Sequence, residues 1–258
     1  TPFFCEEKEA DQIIEVKATV PVNKPNGNVL IRNKEMSICE WDEGYLVLFH
    51  QMKNVLEGYM TKDGSYVRIH ALMPQNKEEK DNLFHAIRLF YLYLAQKRGF
   101  YAIHSASILY RNRAWLFSGH SGMGKSTHTA LWHELFHTPY LNGDLNLIGA
   151  EDGELKVYGM PWCGTSGIYT TNTQKLGGIV LLGRDNSDHL ETLGEAEKIV
   201  RVMQRMISPA WTGEQMERNL DFAGKIVENS PVYYLKCTKN PSAVQPIKEQ
   251  IDQMEAKR

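Results

Sequence analysis

From Tyr101 to Phe136 the chain reads "YAIHSASILYRNRAWLFSGHSGMGKSTHTALWHELF". That is an apolar strand, a turn at "YRNR", a second strand, a glycine-rich loop and a helix. This order constrains the fold more than any other feature. So short a turn joins the strands antiparallel, because a parallel return needs a crossover of a dozen or more residues. A doubly wound nucleotide fold brings in its phosphate-loop strand by such a crossover. Here the loop is expected to hang from a hairpin, in a mixed α/β domain of a different kind.

The loop matches GxxxxGK(S/T) at Gly119, Gly124, Lys125 and Ser126, with an apolar strand before it and a helix after it. Gly119, Gly122 and Gly124 permit a tight turn with inward-facing N–H groups, so His120, Ser121 and Met123 offer backbone donors to phosphates together with those glycines. The helix N-terminus adds partial positive charge at the same place. Lys125 is expected on the β- and γ-phosphates, Ser126 on Mg²⁺, and Thr127 on the α-phosphate.

A rival motif, HExxH, overlaps the helix at His133, Glu134 and His137. Two histidines four apart share a helical face and can hold zinc. However, this helix already presents its first turn to phosphates, is expected to stop before Pro139, and has no downstream helix announcing a third ligand. The histidines read instead as solvated groups near a helix C-terminus, where the dipole favours their protonated form.

At 258 residues and 42% hydrophobic, the chain suits one large domain or two unequal ones. A formal net charge of −2, with no basic tract among aromatics, argues against a nucleic-acid partner. Cys5, Cys39, Cys163 and Cys237 lie far apart with no CxxC pair, so reduced thiols are expected rather than a zinc ribbon or a disulfide scaffold. No apolar run reaches a membrane span, and "TPFFCEEKEADQ" lacks the basic start and apolar stretch of a signal peptide; a cytoplasmic protein is expected.

Residues 1–77 read as a β-rich subdomain. Its strands are "QIIEVKATV", "NVLIR", "SICEW", "YLVLFHQM" and "YVRIHAL", divided by "KPNGN", "DEG" and "KDGS" turns suited to antiparallel neighbours. A helix at 78–98 follows, with Leu83, Ile87, Phe90, Tyr91 and Leu94 at helical spacing. It is taken as the join to a nucleotide-binding domain at 78–258, its stripe and His85 as core rather than a cofactor face. Beyond the loop come the run "LNLIGA", the strand "GGIVLLG", helices over "EAEKIVRVMQRMI" and "GEQMERNLDFAGKIVEN", the strand "PVYYLKC" and a helix from Ser242.

Asp144 stands after a turn and before "LNLIGA", whereas ordinary phosphate-loop enzymes place the metal aspartate at the end of such a run. The hairpin, the loop "GHSGMGKS" and the acidic turn "NGD" together resemble the HPr kinase/phosphorylase family and its structural relative, ATP-dependent phosphoenolpyruvate carboxykinase. "GMPWCGTSG", Gly159 to Gly167, is similar to a GxPWCGxSG motif in an uncharacterised bacterial branch of that family. The resemblance covers roughly Tyr101 to Cys237. It implies a phosphate-loop nucleotide domain, ATP and Mg²⁺ as cofactors, Lys125 and Ser126 on phosphate and metal, and Asp144 on the metal. HPr kinases carry two adjacent aspartates in this turn, the first acting as base, and here Gly143 takes that place. His104, matching the histidine that opens the family's hairpin, is the substitute base; Asp144 serving both roles and a purely structural His104 remain open.

"YGMPWCGTSGIYTTN" reads equally as a substrate-facing loop or as a turn around a buried Trp162, and Cys163 has no assignable histidine partner for a nucleophilic role. Arg184, Arg201, Arg205 and Arg218 compete to neutralise transferring phosphate charge. The function expected is ATP- and Mg²⁺-dependent transfer of the γ-phosphoryl group to a hydroxyl, on the resemblance a serine of a small protein or peptide, or a small molecule. A nucleotide-gated binding module and a small carboxykinase-like enzyme are the alternatives.

Overall fold

The structure is a computed structural model that describes residues 3, 9–19, 27–41 and 43–257. Cys5 and most of the "KPNGN" turn lie outside the described residues. The chain divides into two compact units, Cys5–Gly99 with Pro209–Met216, and Phe100–Ser208 with Glu217–Arg258 and Thr1–Phe4.

The first unit contains six strands: β1 (Ile13–Lys17), β2 (Asn28–Arg32), β3 (Met36–Trp41), β4 (Gly44–Phe49), β5 (Val55–Thr61) and β6 (Tyr66–Ala71). They lie in the order β1-β6-β5-β4-β3-β2. Four neighbour pairs are antiparallel, as the short turns require, but β1 joins β6 in parallel, with Ile13 opposite Tyr66. Helix α1 (Lys77–Lys97) starts at Asn76, whose side chain accepts the Glu79 N–H. Its Ala86, Phe90 and Tyr93 enter one apolar cluster with Val47, Val55 and Ile69 of the sheet. The buried face is thus centred on Ala86, Phe90 and Tyr93, and Leu83 and Ile87 are only partly covered.

The expected boundary at residue 77 differs from this division. Helix α1 packs on its own sheet rather than joining two parts, so the unit runs to Gly99. It then takes back Pro209–Met216, where Trp211 stacks on Tyr93 at 5.5 Å and Gln96 donates to the Pro209 carbonyl at 2.8 Å.

The second unit opens with the hairpin β7 (Tyr101–Tyr110) and β8 (Arg113–Ser118), turned through Arg111 and Asn112, both at positive φ. Helix α2 (Lys125–Phe136) follows the glycine loop, then come β9 (Leu145–Glu151), β10 (Glu154–Tyr158) and β11 (Gln174–Arg184). The unit continues through β12 (His189–Glu191), α3 (Glu195–Met203), the part of α4 (Gly213–Asn229) from Glu217 on, β13 (Val232–Cys237) and α5 (Gln245–Glu255). The sheet order is β10-β9-β7-β8-β11-β13-β12, and β10 also pairs with the start of β11, so five strands close on themselves. Strands β8, β11 and β13 are mutually parallel, whereas β7, β9, β10 and β12 run antiparallel to their neighbours.

Strand β8 shows how the sheet is covered. Ala114 and Leu116 point to a cluster with Val202 of α3 and Phe222 and Ile226 of α4, while Trp115 and Phe117 point to a cluster with Trp132 of α2 and Ile247 and Ile251 of α5. Side chains alternate faces along a strand, and both faces meet helices, so the strand is apolar throughout. Among the described residues no helix is long and apolar enough to cross a membrane.

Candidate functional site

The hairpin delivers the glycine loop to the carboxyl end of β8, where helix α2 begins. Gly122 and Gly124 sit at φ 73° and 102°, the left-handed region that L side chains resist, and Gly124 is the helix N-cap. Met123 N–H closes a turn on the His120 carbonyl at 3.1 Å. Lys125, the first helical residue, is buried, and its Nζ donates to the Gly119 carbonyl at 3.3 Å. Burial lowers its pKa from the ordinary lysine value, nearby Arg205 lowers it further, and Asp144 opposes both.

Asp144 reaches this loop through the other side of the hairpin. The backbone N–H groups of Ser105 and Ser107 on β7 donate to the carbonyls of Asp144 and Asn142 at 2.9 and 2.8 Å, stitching the acidic turn to that strand. Inside the turn, Asn142 Oδ1 accepts from Asp144 N–H at 3.1 Å and Leu145 N–H at 3.2 Å. This is the Asx arrangement that aims the aspartate. Buried side chains complete the frame. Ser107 Oγ donates to Asn146 Oδ1 at 2.7 Å, Asn146 Nδ2 donates to the Ser105 carbonyl at 2.7 Å, and Ser118 Oγ donates to the His104 carbonyl at 2.7 Å. His104 Nε2 consequently stands 3.2 Å from Asp144 Oδ1, with both side chains about one third exposed.

These groups share one cavity of about 380 Å³. His104, Ser121, Gly122, Gly124, Lys125, Ser126, Thr127 and Asp144 all line it. Gly119, His120 and Met123 do not: Gly119 turns its carbonyl to Lys125, and the His120 ring lies against Arg205. The Ser126 hydroxyl and the Asp144 carboxylate both line the cavity, oxygen donors suited to a hard cation such as Mg²⁺.

The cavity is also walled by the stretch that the sequence left undecided, which adjoins the acidic turn. Cys163, Gly164, Thr165 and Ser166 line the cavity, with residues 164–166 in a short 3-10 turn, and Trp162 is buried behind them. The stretch thus lines the cavity and also buries its tryptophan. This wall also accounts for Gly143. A Cβ at position 143 would lie 1.9 Å from Ser166 Oγ and 2.7 Å from Ser166 Cβ, so no side chain fits while the Ser166 turn is in place. Ser166 Oγ is itself held by the Cys163 carbonyl at 2.6 Å.

The four candidate arginines separate. Arg184 Nη2 donates to the Gly122 carbonyl at 2.6 Å and so braces the loop. Arg201 is engaged by Glu197 at 2.7 Å and lies 4.3 Å over the Tyr234 ring. Arg205 lies against His120, with Nη1 and Nη2 each 3.0 Å from a ring nitrogen, and is close enough to Lys125 to perturb it. Arg218 does not line the cavity. Sequence reasoning passed over Asn142, Ser166 and Lys239, the last reaching the cavity from the segment after β13. An Asn-Gly pair before the aspartate was the available signal for Asn142; nothing local marks Lys239.

The HExxH residues are apart from this cavity. His133, Glu134 and His137 are exposed, His133 Nδ1 is 2.9 Å from the Thr138 carbonyl and stacks on Tyr140, and His137 caps the helix at φ 53°. No group of three or more metal-ligating side chains occurs among the described residues.

No protein-family profile matches the sequence, and no curated protein matches it. Among solved structures, the chain is similar to the Hpr(Ser) kinase/phosphatase from Coxiella burnetii, at 10% identity and a TM-score of 0.35, over 60% of this chain and 95% of that one.

Proposed function

We propose that this protein binds a nucleoside triphosphate, ATP, with Mg²⁺ and transfers the γ-phosphoryl group to a hydroxyl, that of a serine on a small protein or peptide. One observation carries the reading: six of the nine residues from Gly119 to Thr127, the lysine among them, converge with an aspartate and a histidine on a single cavity. In this reading the loop N–H groups and Lys125 bind the phosphates, and Ser126 and Asp144 hold the metal. When bound, Mg²⁺ supplies charge neutralisation across the β- and γ-phosphates. The acceptor hydroxyl loses its proton to His104. If Nε2–H faces Asp144, the accepting lone pair is on Nδ1, and Asp144 orients the ring.

Lys125→Ala and Asp144→Ala should each lower label transfer from γ-labelled ATP to serine peptides by about a hundredfold or more. Unchanged transfer in both variants would sink the assignment. A second reading, a nucleotide-gated binding module with little transfer, draws on Gly143, which has no room for a carboxylate beside Asp144. Its expected signature is tight Mg²⁺-dependent ATP binding without label transfer.

A further inference from the structure

Strands β8, β11 and β13 are parallel and end side by side. The crevice outside the carboxyl ends of such strands is where α/β sheets bind ligands. Two cavities open there. One is the phosphate-loop cavity; the other, about 640 Å³, lies between Met123 of the loop, residues 184–186 after β11 and residues 237–239 after β13. Lys239 lines both, and it makes no ion pair with a described residue.

The second cavity is already braced. Arg184 Nη2 donates to the Gly122 carbonyl at 2.6 Å, and Asp185 N–H to the Cys237 carbonyl at 3.2 Å. Asp188 accepts from Thr238 N–H at 2.7 Å and from Ser242 Oγ at 2.6 Å, tying the two loops together. Its walls combine two chemistries. Met123 and the buried Cys237, whose thiol burial pushes up to about 11 and so keeps neutral, give a polarisable apolar surface. Asp185, Asn186 and Lys239 give an exposed polar rim.

We infer that this second cavity is the nucleoside subsite, taking the base and ribose of a nucleoside triphosphate whose phosphates occupy the first cavity. The inference rests on the phosphate-loop reading above. Lys239 stands where the charged and uncharged parts of such a ligand meet. The acceptor is not the occupant, because an acceptor hydroxyl must approach from the side of His104 and Asp144, and neither lines this cavity. The sulfur-lined wall takes the base, and the carboxylate and amide of Asp185 and Asn186 accept hydrogen bonds from the ribose hydroxyls.

Calorimetric titration with Mg-ATP and with Mg-tripolyphosphate tests this, using wild type and Asn186→Trp, which fills the cleft from an exposed position. Wild type should bind Mg-ATP about tenfold or more tightly than Mg-tripolyphosphate. Asn186→Trp should remove that preference and leave tripolyphosphate binding intact, which also reports that the variant is folded. Equal affinities in wild type, or an ATP preference that survives the substitution, would overturn the subsite alone. If neither probe binds wild type, the phosphate-loop reading fails and the subsite fails with it.

Discussion

Acidification should destabilise this protein through His128, in the first turn of α2 after the glycine loop. Its side chain is buried against Phe117, with ring centroids 4.8 Å apart, and its Nε2 has no hydrogen-bond partner. Burial lowers its pKa from 6.5 to about 4, with Asp188 opposing the shift. The folded value lies below the unfolded one, so on acidification the unfolded chain takes up a proton that the native protein refuses. Stability is therefore complete above about 6.5 and is lost as pH falls towards 4. At about pH 5 the linkage amounts to about 2 kcal/mol, rising to about 3 kcal/mol once both states are protonated. Urea unfolding of wild type and His128→Met at about pH 7.5 and about pH 5 isolates the effect from every other titrating group. Methionine fills similar space without a proton site, so the two proteins should be of similar stability at the higher pH, and wild type should be weaker by about 2 kcal/mol at the lower one. Parallel pH dependences would refute the argument, because they would mean that His128 reaches water or a partner in the folded state.

Other expectations follow from the cavity walls. Gly143→Asp should restore an adjacent aspartate pair in sequence yet lower ATP turnover and stability by about 1–3 kcal/mol, because its Cβ meets Ser166. Adding Ser166→Gly should recover most of the lost stability; a fully stable single variant by thermal unfolding would show that the wall yields freely. Arg205→Ala should leave Mg-ATP affinity within a few-fold and cut label transfer by about a hundredfold, as loss of a charge-stabilising group does. An equal fall in binding and transfer would instead make Arg205 a ground-state binding residue.

Much of this was legible in sequence because the signals were local. The "YRNR" turn, the alternating apolar strands and the GxxxxGKS loop each depend on a few consecutive residues, and all appear where expected, from Tyr101 to Phe136. The nearness of His104 to Asp144 was not readable, since it arises from pairing β7 with β9 across forty residues of chain. Strand β5 was missed because Glu57 and Gly58 interrupt its apolar pattern; both are buried against a sheet and helix that only the folded unit supplies. Strands β10, of five residues, and β12, of three, are too short to announce themselves and owe their extension to neighbours. Likewise β1 was expected among antiparallel strands, but its parallel union with β6 depends on a long return that no turn motif specifies. Lys239 belongs in the same class, since its place comes from the sheet order and not from its neighbours in sequence.

Ser105, Ser107, Asn142 and Asn146 are buried polar residues in a region otherwise built from apolar contacts. Hydrocarbon packing alone tolerates a two-residue slip of β7 against its partners, because alternation brings apolar faces back together. Hydrogen-bonded amides and hydroxyls do not tolerate it. Each one stranded without a partner costs about 1–3 kcal/mol, so a slipped arrangement with several of them is excluded from the native ensemble. These four side chains thus serve as an address rather than an adhesive. They select the one alignment of the hairpin in which a histidine on a strand, a lysine on a helix and an aspartate in a turn line the same cavity.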